Sequence, residues 1–367
     1  MLDFTITHLT FSLVFLFAAL YYTLVIAGHD TIYKRTDYDW GRYAVGVFVL
    51  SVCSWLDLDF FHYKELVSQY DFTPDAHNHG EAIYGFIVSL VGKNYLLFRV
   101  VIWGSAMVLF IYTTKRLKIS IKCSLFFLLT CYIQVFSYAR ASLAMAIYFF
   151  GISFLIAPAK NRFVSYVSAL IIIICSYFFH SSMLVIILLT PVVFLPLNKK
   201  TYAALILLSP ILFVSMKTLF FKVIEGSLTI DNYVMGRIVG YANADGGVDA
   251  NWKGMIQAMM MYSTYYVPYL ITTNAIVRRK NNVPNHLSKL FMVITFIIIV
   301  STCLFFMGFQ SKVFAYRVLF MSYMGLAWLM VGLLQNRCIS AKEFKISLFI
   351  GVIYETIIIL FNFYRLA

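Results

Sequence analysis

Charged residues are scarce in this sequence of 367 residues, since they make up only 12% of it, whereas soluble domains carry about 25%. Apolar types reach 62% and collect in long runs of Ile, Leu, Val and Phe. This composition excludes a soluble enzyme. The runs are also too long for an outer-membrane barrel, in whose strands apolar and polar residues alternate. The composition therefore predicts an all-α, polytopic integral membrane protein with one transmembrane domain over residues 1–367.

Cysteine is also sparse, and its six residues lie singly, without the spacing of a metal site or the density of a disulfide framework. We expect neither a metal nor another cofactor. The net charge of +13 comes from short clusters of Lys and Arg between apolar runs, where such residues set membrane topology. The basic balance therefore gives no indication of nucleic acid as a partner.

Apolar runs bounded by charged or turn residues predict twelve membrane spans, since a spanning helix needs roughly 20 apolar residues. The spans lie at about 5–27, 41–56, 95–114, 120–138, 141–158, 163–179, 181–197, 201–221, 254–277, 288–308, 315–334 and 345–363. Assigning alternate connections to the cytoplasm places 18 of the 29 basic residues there, in agreement with the positive-inside tendency. Both termini are then expected on the outer side.

Two predicted outer segments, residues 57–94 and 222–253, are too long to be simple links. The first ends in apolar residues spaced three and four apart between Ala82 and Val91. This spacing predicts a short amphipathic helix on the membrane surface, or a protruding end of the third span.

Several basic residues lie near the predicted outer ends of spans, where the positive-inside tendency disfavours them. A charge at membrane depth costs at least ~2.5–3.5 kcal/mol, so each must reach the surface, pair with an acid or bind an anionic ligand. We favour a lipid-linked phosphate or diphosphate for the group, because arginine binds phosphate oxygens through a planar fork. Ion pairs with outer acids are the alternative. The residues are Arg99, Arg140, His180, Lys217, Lys312 and Arg317.

Arg140 and His180 stand in distinctive local sequences. Arg140 opens the run RASLA, whose small residues permit close helix packing, and we interpret it as a ligand-binding arginine. An ion pair with loop acids is the alternative. His180 lies in a polar break, FHSS, between two very apolar spans. A neutral imidazole can remove a proton from a sugar hydroxyl, although a hydrogen-bonded structural histidine is the alternative.

Four acids are also candidates. Asp57 and Asp59 follow the second predicted span and resemble the metal-binding acidic pair of GT-C glycosyltransferases, with a solvated loop as the alternative. Glu81 precedes the amphipathic segment and is either catalytic or a helix N-terminal acid favoured by the dipole. Glu355 lies in the middle of the last span, where a hydrogen bond to a Tyr or Arg is the ordinary explanation. The remaining mid-membrane positions are expected to be apolar.

The order of these features resembles that of the Wzy-type repeat-unit polymerases of bacterial polysaccharide assembly, in particular the branch containing EpsG. The motifs cover about residues 30–200, and the remainder is similar by hydropathy. They are the outer acid followed by Tyr63, Glu81 with Tyr84, the RASLA run, the FHSS break and a late Arg317.

The resemblance implies a glycosyltransferase that builds O-antigen or exopolysaccharide from undecaprenyl-diphosphate-linked repeat units. It would transfer the growing glycan from one lipid-linked substrate to the other at the outer, periplasmic face of the bacterial cytoplasmic membrane. A chain-length regulator and a flippase are expected partners. Alternatives are a GT-C transferase, an O-antigen ligase and a glycan transporter. The implied diphosphate-binding residues are Arg140 and Arg317, with Arg237 and Lys312 as helpers, and the catalytic candidates are His180, Glu81, Asp57 and Asp59.

Overall fold

The computed structural model describes residues 82–132, 139–180, 183–195, 252–278, 283–306 and 313–366. It also describes residues 13, 14, 16, 17, 20, 21, 64, 65, 67 and 68. Regular secondary structure in these ranges is helical throughout, without a β-strand. The all-α prediction is therefore confirmed for the described part of the chain.

The helices follow the apolar runs. Side-chain oxygens of Asn94, Ser120 and Asn161 cap the helices that begin at Tyr95, Ile121 and Arg162, each accepting a backbone N–H three residues on. A 3₁₀ turn, Thr190–Phe194, follows the helix Met183–Leu189, because Pro191 lacks the N–H that a continuing α-helix needs. The bounds are α1 Ala82–Leu90, α2 Tyr95–Arg116, α3 Ile121–Cys131, α4 Ala139–Ile156, α5 Arg162–Phe179, α6 Met183–Leu189, α7 Trp252–Arg278, α8 Asn285–Phe306, α9 Val313–Phe320, α10 Tyr323–Gln335 and α11 Ala341–Leu366.

Four described segments are long and apolar enough to cross a membrane: Tyr95–Arg116, Arg162–Phe179, Asn285–Phe305 and Ala315–Gln335. Shorter apolar helices lie at Ile121–Cys131, Ala141–Ile156 and Met183–Phe194. These helices support a membrane protein. The count of twelve spans stays a prediction, since the spans expected at 41–56 and 201–221, and most of the first, fall outside the described residues.

Two predicted spans differ from continuous helices. Within the run at 120–138, α3 ends at Cys131 and Tyr132 leaves the helical conformation at φ −141°, and residues 133–138 lie outside the described residues. The run at 315–334 is divided by a turn at Met321 and Ser322, which separates α9 from α10. Apolar composition alone predicts that a segment lies in the membrane, and it does not reveal where the helix is interrupted.

Several helix ends meet at one face of the molecule, near Arg116 at the end of α2. We call this face the basic end. The Arg116 guanidinium donates to Ser153 Oγ and to the Ala157 carbonyl, both at 3.0 Å, and so holds the end of α4. The backbone N–H of Ser120 donates to Gln335 Oε1 at 3.1 Å, which brings in the end of α10. Three of the connections that we predict to be cytoplasmic, those after α2, α4 and α10, therefore meet at one face.

The central helix of the bundle is α10, which is buried around its whole circumference from Tyr323 to Leu334. Its Trp328 stacks on Phe110 of α2 at 4.8 Å and meets Phe149 of α4 edge to face at 5.4 Å. The Trp328 Nε1 donates to Thr114 Oγ1 at 2.7 Å. This one residue therefore ties together α2, α4 and α10.

The predicted amphipathic segment is a separate helix, α1, and not an extension of the third span. It ends at a turn in which Gly92 and Lys93 both have positive φ, near 60°. Ile87 and Val88 are buried, whereas Phe86 and Leu90 are more than 60% exposed. The apolar face of α1 is therefore divided between the protein and its surroundings.

Candidate active site

Three of the site residues that the sequence predicts lie within or at the end of described helices. Arg140 lies in the first turn of α4, although its side chain is outside the described part of the structure. Arg317 lies in the last turn of α9 and is partly buried. His180 is the C-cap of α5. Asp57, Asp59, Glu81, Arg237 and Lys312 lie outside the described residues.

His180 is held in an extended conformation at the end of α5, with φ −158° and ψ 116°. Its backbone N–H donates to the Ser176 carbonyl at 3.2 Å, and its own carbonyl accepts from Met183 at 2.9 Å. The preceding Phe179 meets Tyr84 of α1 edge to face, with ring centroids 6.3 Å apart. The structure therefore brings together two motifs that are almost a hundred residues apart in the sequence.

Arg99 lies close to this corner, in the second turn of α2, and is only 1% exposed. Its guanidinium carbon is 4.9 Å from the centroid of the Trp103 ring and 5.4 Å from that of Tyr95. The neighbouring Phe98 contacts Tyr84, with ring centroids 6.3 Å apart. The cation–π contacts of this buried arginine are therefore made within α2, and the contact between Tyr84 and Phe98 joins α1 to α2.

A second group of polar side chains lies inside the bundle, and we call Tyr132, Tyr265, Tyr323 and Glu355 the tyrosine cluster. The ring of Tyr132 is 5.3 Å from that of Tyr265 and 6.0 Å from that of Tyr323. The Tyr132 hydroxyl donates to the Thr264 carbonyl at 3.2 Å. Glu355 lies within electrostatic range of Tyr132 and Tyr265 and is fully buried.

The tyrosine cluster adjoins two of the helices that carry predicted arginines. The Tyr323 hydroxyl lies beside Ser142, which is two residues after Arg140 on α4. Tyr265 contacts Phe320, on the same short helix as Arg317, with ring centroids 6.1 Å apart. The first turn of α4 and the end of α9 therefore meet the same buried polar group.

Helix lengths give the depth of the cluster, because each residue of an α-helix adds 1.5 Å. Counted from the basic end, Tyr132 lies about 16 Å along α3, and Tyr265 about 20 Å along α7. Tyr323 lies about 18 Å along α10, and Glu355 about 21 Å along α11. His180, after the 18 residues of α5, lies about 27 Å away, close to the full thickness of a hydrocarbon core of about 30 Å.

The tyrosines are the part of the site that the sequence did not predict, and our expectation of an apolar mid-membrane apart from Glu355 is wrong. Tyrosine counts as apolar in a hydropathy profile, so its hydroxyl gives no signal there. The chain contains 26 tyrosines, and the polar clue among them was the isolated Glu355. No group of three or more His, Cys, Asp or Glu side chains suited to a metal occurs among the described residues.

Comparison with known proteins gives the family. The EpsG family model matches residues 14–367 of the chain. Neither a curated protein nor a solved structure matches. The family association and the apolar helices together indicate a membrane protein of exopolysaccharide polymerisation. Because the match extends over almost the whole sequence, the chain belongs to the EpsG family.

Proposed function

We propose that the protein is a glycosyltransferase that polymerises undecaprenyl-diphosphate-linked oligosaccharide repeat units at the outer face of the cytoplasmic membrane. The product would be an O-antigen or an exopolysaccharide. The observation that carries the proposal is the position of the first turn of α4, which begins with Ala139 and Arg140. It lies beside a buried polar cluster, far from the basic end of the bundle.

The reaction needs stabilisation of a leaving group more than it needs a covalent nucleophile. The acceptor hydroxyl oxygen bonds to the anomeric carbon of the donor, and the bond from that carbon to the diphosphate oxygen breaks. The electron pair stays on the diphosphate, so cations aimed at it lower the barrier. We assign this role to Arg140 and Arg317, whose forks match phosphate oxygens, with Arg237 and Lys312 as helpers.

The acceptor side is assigned to the corner at the end of α5. Helices α4 and α5 each have 18 residues and pack against each other across a short link. Their far ends, with Arg140 and His180, therefore lie at a similar level. We place His180 and Glu81 beside the acceptor sugar, since Glu81 directly precedes α1, which packs on Phe179. Asp57 and Asp59 remain further acidic candidates in the same outer segment.

The proposal is tested by the surface glycan of a strain that lacks the protein. We expect single repeat units in place of the ladder of long chains, and a return of the ladder when the wild-type gene is supplied. Purified protein should also lengthen a lipid-linked repeat unit without any other enzyme. Loss of every surface repeat in the strain, with no extension by the purified protein, would instead indicate a ligase or a flippase.

A further inference from the structure

Three aromatic side chains meet near the outer ends of α7, α8 and α9, and we call Tyr262, Phe305 and Tyr316 the outer aromatic group. The ring centroid of Tyr262 is 5.0 Å from that of Phe305, edge to face, and 5.6 Å from that of Tyr316. The ring centroids of Phe305 and Tyr316 are 6.2 Å apart. Each of the three helices therefore contributes one ring to a common contact.

Helix lengths place the outer aromatic group far from the basic end. Counted from that end, Tyr262 lies about 24 Å along α7 and Phe305 about 30 Å along α8. His180 lies at about 27 Å by the same count. The outer aromatic group is therefore at the level of the proposed reaction. Tyr316 also directly precedes Arg317, to which we assign the donor diphosphate.

The burial of these rings differs from that of an ordinary aromatic belt. Tyrosine and tryptophan are common at the ends of membrane spans, where they settle at the boundary between lipid and water. Tyr316, however, is only 7% exposed, and Tyr262 and Phe305 are partly buried and pack against the core of the bundle. The three rings therefore form a partly accessible aromatic surface between helices.

The Tyr316 hydroxyl is buried and has no hydrogen-bond partner among the described residues. A buried tyrosine hydroxyl usually has one, because an unpaired polar group is destabilising. The Ser301 hydroxyl, where α8 packs on α9, donates instead to the Ala315 carbonyl at 2.8 Å. The hydroxyls of Tyr266 and Thr302 are hydrogen-bonded to each other. The Tyr316 hydroxyl is therefore available to a bound molecule.

An aromatic surface with one available hydroxyl suits a sugar ring. A pyranose has C–H groups on its faces, which pack on aromatic rings, and hydroxyl groups around its rim, which form hydrogen bonds with a tyrosine. Ligand sites generally combine aromatic walls with a few polar groups in this manner. A lipid tail would use the rings but not the hydroxyl, and a phosphate would need cations, which the group itself lacks.

We propose that the outer aromatic group binds the sugar of the donor that is bonded directly to the diphosphate. This inference rests on the proposed function and adds a sugar subsite to it. Tyr262 and Phe305 supply the aromatic surface, and the Tyr316 hydroxyl forms a hydrogen bond with a hydroxyl of the sugar. Because Tyr316 and Arg317 are consecutive on α9, a sugar held by the first keeps its diphosphate near the second.

The test compares two lipids as inhibitors of polymerisation by the purified protein, with the complete undecaprenyl-diphosphate-linked repeat unit as substrate. One lipid is undecaprenyl diphosphate that carries only the first sugar of the repeat unit, and the other is undecaprenyl diphosphate alone. Both contain the same lipid and diphosphate, so the ratio of their inhibition constants reports the contacts of the sugar. We expect the wild-type protein to bind the sugar-bearing lipid more tightly.

Two variants should reduce this preference. Tyr262→Leu removes the flat ring, keeps an apolar side chain and should weaken inhibition by the sugar-bearing lipid about 10-fold. Tyr316→Phe removes only the hydroxyl and should weaken it about 2- to 10-fold, as expected for one lost hydrogen bond. Neither change should alter inhibition by undecaprenyl diphosphate alone. Tyr316→Phe should also accumulate and unfold thermally like the wild type, because no described residue bonds to that hydroxyl.

Tyr269→Phe is the matched control, since it makes the same chemical change in the half of α7 that is nearer the basic end. The Tyr269 hydroxyl donates to Thr295 Oγ1 at 3.2 Å, so its partner belongs to the protein. We expect wild-type inhibition constants for both lipids from this variant.

Equal inhibition of the wild-type protein by the two lipids, or a wild-type ratio in Tyr316→Phe or Tyr262→Leu, overturns the inference and leaves the proposed function intact. Equal weakening of both lipids by the two variants also overturns it, since that result indicates a lipid contact or a structural role. Failure of the wild-type protein to extend the substrate overturns the proposed function itself.

Discussion

Gly351 holds two helices at a separation that tolerates no side chain. It lies on α11, one turn before Glu355, and faces the end of α3. A Cβ atom added there would be 2.5 Å from Cys131 Sγ, 2.8 Å from its Cβ and 2.9 Å from its Cα. A side chain can rotate away from such a contact, but a backbone Cα cannot. Gly351→Ala therefore forces α3 and α11 apart close to Tyr132 and Glu355, which lie on these two helices.

Two opposing effects set how far Gly351→Ala lowers the free energy of unfolding. Forcing an extra carbon into a closed contact costs about 1–3 kcal/mol, and replacing a helix-interior glycine by alanine returns about 1 kcal/mol. The expected net loss is about 0–2 kcal/mol, so the variant should still accumulate in the membrane. Activity should suffer more, because the displaced helices carry part of the tyrosine cluster that adjoins the first turn of α4, and a displacement of about 1 Å can lower a rate about 10²-fold.

Gly332→Ala is the matched control in α10. Its added Cβ would meet Leu287 Cδ2 at 2.9 Å and Cδ1 at 3.0 Å, and both atoms are the ends of a flexible side chain. Thermal unfolding of the detergent-extracted variants and the lengths of the chains they make are the measurements. We expect wild-type chain lengths from Gly332→Ala and short chains from Gly351→Ala. Equal stability and equal chain lengths in the two variants would refute the argument from close contact.

Further predictions concern the diphosphate site, the core, topology and metal dependence. Arg140→Lys should accumulate normally but polymerise about 10² to 10³ times more slowly, as expected for a lost transition-state contact, and near-normal chains would exclude the bidentate role. Thr114→Val leaves the buried Trp328 Nε1 without its acceptor and should cost about 1 kcal/mol in thermal unfolding, whereas Thr114→Ser should not. Reporter fusions at Lys118 and Asp245 should report opposite sides of the membrane, with Lys118 cytoplasmic, and one shared signal would reject the topology. Polymerisation should persist in excess chelator, and full loss restored by a divalent ion would favour the GT-C alternative.

Long, uninterrupted apolar runs were predicted well, because a helix that is long enough to cross the membrane leaves a continuous record in hydropathy. The run expected at 254–277 is the helix Trp252–Arg278, and the run expected at 288–308 is Asn285–Phe306. The shorter elements were predicted less well. The end of α3 at Cys131 and the turn between α9 and α10 are changes of backbone conformation inside apolar runs, and a hydropathy profile does not register them.

The residues of the candidate site also differ in how well the sequence predicted them. Arg140 and His180 were identified because a charge or a polar break in an apolar sequence is conspicuous, and the structure places both at helix ends away from the basic end. Tyr265 and Tyr323 were not identified as part of a site, because tyrosine is common in this chain and its contacts join segments distant in sequence. Proximity across the bundle is a property of packing, and only Glu355 gave a local signal.

Four large aromatic side chains of the described helices lie between the tyrosine cluster and the basic end, and this arrangement supports the proposed transferase over a transporter. A layer of aromatic rings lies between the tyrosine cluster and the basic end, formed by Phe110, Phe127, Phe149 and Trp328. Each ring is about 9–11 Å from the basic end of its own helix, and all four are at most 1% exposed. A transporter needs an ionisable or hydrated path through this level, whereas the described helices place large aromatic rings there. A transferase with lipid-linked substrates, as we propose, needs access from one face only and is compatible with rings at this level.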